Sequence, residues 1–417
     1  MTTEPAAAPA EALATDRRQR WRDRRALTAM VTSHAVQHFY VGGLAVTYPL
    51  VVAAFHVSYG VLGAVLTAAG LLGGLLQGAA GLLRRVSARA VLTAQNITLA
   101  AATALGAVAP GFAVFGLARC FGSAVSWPQH PVGSAYLSDR FPQRRGAALS
   151  WHTAGGSLGT VVVPLFTAAI IAASGWRWAL AALAMLTAAG GLFVWAVLPR
   201  DRHPGPAAPG TDRAPAGRAL WRVLLRRRVA LVLAASTVAA GGRGLGTITT
   251  YLPAYLKSDL HLGQIEVGVV FTTVMAASVA GPVLAGYLAD RMGRSRLLVG
   301  AYLGGAVALA GFAFAGRGLA ALLLTGVAVG VLAYAESPLL QAVFADSIGE
   351  AYGRAAFGAF FAIAYGVGAI WLAILGWVID TFGFTTAFVV MAASFVVSAA
   401  LVLLAGRAPH APAAAAQ

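Results

Sequence analysis

Acidic residues are scarce in this chain, and within its apolar stretches they are almost missing. Only 14 of 417 residues are Asp or Glu, and 11% carry any charge, against about 25% in an ordinary soluble domain. That shortage excludes a conventional soluble domain. A single lysine, Lys257, stands against 29 arginines. The one cysteine, Cys120, has no partner for an internal disulfide and falls in an apolar stretch, where it reads as packing. The sequence lacks a phosphate-binding loop, which argues against an ATP-driven pump. It also lacks a nucleophile–base pair at useful spacing, so no enzyme is expected.

What the chain has in abundance is apolar sequence, 59% of all residues. A bilayer core needs about 20 apolar residues to be crossed as a helix. Twelve such pieces lie between Ala26 and Arg407, at about 27–54, 59–83, 89–109, 112–138, 146–173, 177–198, 229–256, 263–289, 295–316, 319–345, 354–380 and 384–406. The first follows a polar segment and has no small-residue cleavage site, so it reads as a retained helix. Of the 30 basic residues, 25 fall in the N-terminal tail, alternate loops and the C-terminal tail. Arg177, Lys257 and Arg317 lie in the opposite loops, and Arg119 and Arg243 lie within helices. The net charge of +16 is therefore a topological signal and not a nucleic-acid surface. Both termini are expected in the cytoplasm, with the protein in the inner (plasma) membrane.

The expected organisation is a cytoplasmic tail at 1–25, a six-helix bundle at 26–199, a Pro/Gly/Arg-rich cytoplasmic linker at 200–228, a second six-helix bundle at 229–407 and a tail at 408–417. The two bundles repeat. Tyr48-Pro49 corresponds to Leu252-Pro253 at an offset of 204, Gly81 and Arg89 to Gly286 and Arg294 at 205, and Pro131 and Asp139 to Pro338 and Asp346 at 207. Slowly drifting offsets are the mark of duplication. The fold class is thus an all-α membrane protein of twelve transmembrane helices in two pseudo-symmetric six-helix bundles, with a site between them at mid-membrane.

The segment Gly286-Tyr287-Leu288-Ala289-Asp290-Arg291-Met292-Gly293-Arg294-Ser295-Arg296 resembles the loop signature of the major facilitator superfamily. The resemblance implies a gate-latch role for Asp290 and Arg294. The N-terminal copy, Gly81 to Arg89, has no acidic residue. Leu117-Ala118-Arg119-Cys120-Phe121-Gly122 is similar to the superfamily's motif with an intramembrane arginine. Gly155-Gly156-Ser157-Leu158-Gly159 followed by Pro164 is similar to a glycine-rich antiporter motif, although small residues also pack helices closely. Ser33-His34, Tyr48-Pro49-Leu50, His130-Pro131 and Gly146-Ala147-Ala148-Leu149-Ser150 loosely resemble the fosmidomycin-resistance-type efflux branch. That branch usually has an acidic residue where His38 stands here.

Charges inside a bilayer are costly and face a cavity or a partner. Arg119, Ser123, Trp127 and His130 share one helical stripe. Arg119 either binds an anion or coupling network in a central cavity, or is pinned to carbonyls between helices. Arg243 lies among Gly241, Gly242, Gly244 and Gly246, with Thr247 and Tyr251 on its face. It either meets a ligand or pairs with Glu336 on a flexible gating helix. Glu336 is the acidic residue placed well inside a span. It either loads and releases a proton or forms a permanent ion pair. His34, Gln37 and His38 form a face of the first helix that either carries protons or fixes packing. The substrate-binding candidates are therefore His34, Gln37, His38, Arg119, Ser123, Trp127, His130, Arg243, Thr247 and Tyr251. Glu336 is the proton-coupling candidate, and Asp290 and Arg294 are the gating candidates. His130 and His152 are placed to approach each other, but no acidic or cysteine ligand accompanies the histidines at metal spacing, so no metal and no cofactor is expected.

The expected function is secondary active transport by alternating access. Proton-coupled efflux of a small organic solute is favoured, and two intramembrane arginines favour an anionic one. Proton-coupled uptake of a small carboxylate and a non-transporting sensor of the same fold are the alternatives. The expected partners are the solute, protons or another coupling ion, and the bilayer. No nucleic acid is expected, and the protein is expected to be a monomer.

Overall fold

A computed structural model describes residues 9–77, 86–200, 217–348 and 353–407. Every regular element among them is helical. Ten helical stretches are long and apolar enough to cross a membrane. Two features bring the crossings to twelve. The fourth crossing is split into α4 (Phe112–Ser126) and α5 (Gln129–Arg140), each too short to span alone. The last stretch is two crossings joined at Gly383, which adopts φ 83° and ψ 170°. An L side chain is strained there, and glycine lets the chain reverse.

In the N-terminal half, α1 (Pro9–Phe55), α2 (Tyr59–Gln77), α3 (Ala88–Ala107), the α4–α5 pair, α6 (Arg145–Ser174) and α7 (Trp176–Val197) make the six crossings. After a short helix α8 (Gly217–Leu224), the seventh crossing comprises α9 (Arg227–Ala239), a broken segment and α10 (Thr249–Ala254). The eighth and ninth are α11 (Gln264–Met292) and α12 (Arg294–Ala313). The tenth is α13 (Leu319–Tyr334) with α14 (Glu336–Ile348). α15 (Gly353–Phe361) and α16 (Ile370–Gly406) complete the set.

α1 begins at Pro9, so the arginine-rich segment runs into the first crossing as one helix. At 47 residues, the helix is about 70 Å long, more than twice a bilayer core. Its arginines are solvated on an extension held by Arg140 to Asp23 at 3.0 Å. The end of the expected linker is helical in α8, with Val223 and Leu224 buried. The expected second copy of the loop signature falls largely outside the described residues, at 81–85.

Within each half, α1 packs on α6 and α7, α3 on α7 and α4, α11 on α13, and α12 on α13 and α16. The halves meet through α2 against α16 and α6 against α11. At the end opposite the termini, the Asp380 carboxylate accepts from Tyr59 N (2.9 Å) and Gly60 N (2.7 Å). It caps α2 from the other half, where a negative charge suits a helix N-terminus. Tyr59 also hydrogen-bonds Ser258 across the halves at 2.7 Å.

Candidate functional site

Two polar centres lie at related places in the two halves. His38 and Arg243 are 205 residues apart, and His130 and Glu336 are 206 apart. Both offsets fall within the 204–207 drift of the internal repeat.

The C-terminal centre forms where three crossings lose helical regularity. Leu245 (φ −77°, ψ 86°) and Gly246 (φ 159°, ψ −103°) interrupt the seventh crossing, the tenth changes from α13 to α14 at Ala335, and the eleventh is irregular between α15 and α16. Arg243, just before the first break, is 5% exposed, and Glu336 is 1% exposed. Arg243 Nε donates to Glu336 Oε1 at 2.8 Å. Its Nη1 donates to Ala364 O at 2.7 Å and its Nη2 to Ser236 O at 2.9 Å. Tyr302 OH donates to Glu336 Oε2 at 3.3 Å. The guanidinium thus joins the seventh, tenth and eleventh crossings, and the tyrosine adds the ninth. Burying two charges costs several kcal/mol per ion, which attraction and further hydrogen bonds offset only in good geometry. Of the readings open for these residues, the structure has the ion pair formed, with the guanidinium bonded on all three nitrogens.

Thr247 and Tyr251 lie beyond the break at Leu245–Gly246, which interrupts the helical register that spacing alone gives them with Arg243. Thr247 Oγ1 instead donates to Gly241 O at 2.9 Å, satisfying a carbonyl freed by the break. Tyr251 is fully buried and donates to Leu372 O. Tyr334 is hydrogen-bonded to Thr249 at 3.0 Å. Tyr255 is buried and donates to Ala313 O at 2.9 Å.

The N-terminal centre is a group of imidazoles. The ring centroids of His34 and His38 are 4.7 Å apart, those of His34 and His130 5.0 Å, and those of His34 and His152 4.2 Å in a stacked pair. His34 and His152 are buried, His38 is half-buried and His130 is exposed. Gln37 is buried beside them in sequence, and its Oε1 has no hydrogen-bond partner. Beneath the group lies an amide network. Ser33 Oγ donates to Gln129 Oε1 at 2.8 Å, Gln95 Nε2 to the same oxygen at 3.1 Å, and Asn96 Nδ2 to Ser33 Oγ at 3.0 Å.

Arg119 departs from the expected central stripe. Its guanidinium lies 4.5 Å over the Tyr40 ring, a cation–π geometry. With Tyr40, Leu44, Thr103, Phe115 and Leu180 it lines a cavity of about 10 Å³ within the N-terminal half, room for about one water. Its Nε and Nη1 have no hydrogen-bond partner. Ser123 Oγ donates to Ala69 O at 2.6 Å and ties α4 to α2. Trp127 is half-buried at the end of α4. His130 follows the Trp127–Pro128 turn, whose backbone stays in the right-handed helical region, and its ring packs with those of His34 and His38.

At the terminus-bearing end, Arg294 pairs with Asp346 at 2.6 Å, both about half exposed. Asp290 is exposed and has no ion-pair partner among the described residues. Arg294, expected with Asp290 as a latch, is thus paired with Asp346 inside one half, where α12 begins beside the end of α14. Ser236, Tyr302, Thr160 and Asp346 were missed as site residues. Asp346 alone had a signal, its place in the repeat.

The Major Facilitator Superfamily profile matches residues 30–263 and 235–417. The chain belongs to the major facilitator superfamily. It is 32% identical over 168 residues to the fujikurins efflux protein of Gibberella fujikuroi, covering 40% of this chain and 34% of that protein. It is 30% identical over 115 residues to sugar efflux transporter B of Salmonella typhimurium, covering 28% and 27%. The chain therefore spans about a third or less of the length of these relatives. The nucleoside transporter NupG superimposes with a TM-score of 0.77 at 14% identity, over 93% of this chain and 100% of that one. A bacterial homolog of the human lysosomal transporter Spinster, inward-facing and occupied, gives 0.69 at 17%, over 91% and 96%. At these identities the likeness is one of fold. This superfamily member is thus a multi-pass membrane protein by family and architecture.

Proposed function

We propose that this transporter exports a small organic solute by alternating access, driven by protons that bind Glu336. The carrying observation is the buried Arg243–Glu336 pair at 2.8 Å, set among breaks in three crossings. Protonating Glu336 removes the charge that holds Arg243, and Arg243 is what holds the broken seventh crossing to the tenth and eleventh. A proton there acts on the junction that joins these three crossings, and a coupled switch requires such an element whose equilibrium the proton biases. Efflux is favoured by the names of the two curated relatives, each matched over part of its length. Neither intramembrane arginine offers an open anion site in this arrangement: Arg243 is paired with Glu336, and Arg119 lines a cavity with room for about one water.

A thermal-shift panel of small organic anions, neutral compounds and cations selects the solute, because a ligand of the folded state raises apparent stability. Flux of that solute is then followed in proteoliposomes under an imposed proton gradient. The expected result is solute movement against the proton flow, abolished by a protonophore and by Glu336→Gln. Movement indifferent to the gradient would refute proton coupling, and binding without flux would mark a sensor of the same fold.

A further inference from the structure

We infer that His34, His38 and His130 form a binding site for a divalent transition-metal ion, with Zn²⁺ the type case. One nitrogen from each ring lies within 4.8 Å of the other two. The hydrogen bonds around the rings decide which nitrogens are available. His34 Nδ1 is 2.7 Å from His152 O. A carbonyl only accepts, so Nδ1 carries the proton and Nε2 keeps its lone pair, buried and without a hydrogen-bond partner. His38 Nδ1 is 2.7 Å from Thr160 Oγ1, whose own proton goes to Gly156 O at 3.0 Å. Thr160 therefore accepts from His38 Nδ1, and His38 Nε2 also keeps its lone pair. An imidazole that donates its remote N–H to a carbonyl or a fixed oxygen is the usual second layer of a metal ligand.

Tetrahedral Zn²⁺ with Zn–N of about 2.0–2.1 Å puts ligand nitrogens about 3.3 Å apart. The rings must draw together by up to about 1.5 Å. His130 is exposed and His38 half-buried, so these two rings have room to move toward His34. His152 lies stacked on the His34 ring and is not one of the three residues whose nitrogens converge. The fourth position is left to water or to an anionic group. Imidazoles without carboxylates suit Zn²⁺, Cu²⁺, Ni²⁺ or Co²⁺, and not Mg²⁺ or Ca²⁺.

The inference stands apart from the transport reading, and its test needs no flux. Purified, tag-free full-length protein in detergent is titrated with Zn²⁺ against a chromogenic chelator, with Mg²⁺ as control. One Zn²⁺ per chain is expected. His130→Asn and His38→Asn should each weaken binding at least tenfold. Thr160→Val, which removes the acceptor for His38, should weaken it about 10- to 100-fold. His56→Asn and His261→Asn should change nothing. Because His130 is exposed, its replacement spares packing, and size-exclusion behaviour confirms the fold. Failure to bind Zn²⁺, or affinity unchanged in His130→Asn, would overturn the site.

Discussion

At the scale of single residues, the Arg243–Glu336 pair separates stability from coupling. Arg243→Ala strands a buried carboxylate and should destabilise the protein by about 3–5 kcal/mol, read as a lower melting temperature. Replacing both partners by apolar residues, Arg243→Met with Glu336→Leu, should restore most of that stability, since a buried pair is often matched by packed side chains. Proton-driven flux should stay lost in the double variant. Recovery of flux with recovery of stability would show that the pair only holds the fold. The sequence pointed to both residues because charges are rare within the spans. It left pairing and ligand binding open, since the break at Leu245–Gly246 is not visible in the spacing of Arg243, Thr247 and Tyr251. Ser236 and Tyr302 carried no signal, because an ordinary polar residue in a span gains meaning only from its neighbours.

At the scale of helices, the glycine-rich segment of α6 acts by close approach. A side-chain carbon on Gly156 would lie 2.7 Å from the His34 ring, and one on Gly159 would press on Ala35 O. These glycines seat α6 on α1 whatever the transport direction, as small residues do between membrane helices. Gly159→Ala meets backbone that cannot yield and should lower the melting temperature by several degrees, as for about 1–3 kcal/mol of overpacking. Gly156→Ala should push the His34 ring aside and weaken Zn²⁺ binding while the protein still folds. An unaltered Zn²⁺ affinity in Gly156→Ala would show that the ring is not held by this contact. Element boundaries were legible where apolar runs met Gly, Pro or Arg. The continuity of α1 into its arginine-rich extension was not legible, because solvated arginines on a helix look like a polar tail.

At the scale of the whole molecule, the halves are joined at the end opposite the termini, where Asp380 caps α2. Asp380→Ala removes a cap worth about 1 kcal/mol and should speed hydrogen exchange at Tyr59 and Gly60, loosening that end. Unchanged exchange would show that the cap is not what closes it. The twelve crossings and their duplication were legible because bilayer thickness and repeat offsets are written in one dimension. The Arg294–Asp346 contact and the histidine group were not, since each depends on how helices distant in sequence meet.

The central claim is that a proton on Glu336 shifts the two halves between arrangements. The most direct measurement is the distance between spin labels on the exposed residues Gln143 and Arg296, one in each half, in a Cys120→Ser background. Wild-type protein should shift its distance distribution between alkaline and acidic buffer. Glu336→Gln should hold the acidic distribution in both. A Glu336→Gln protein that follows pH as the wild type does would contradict the account.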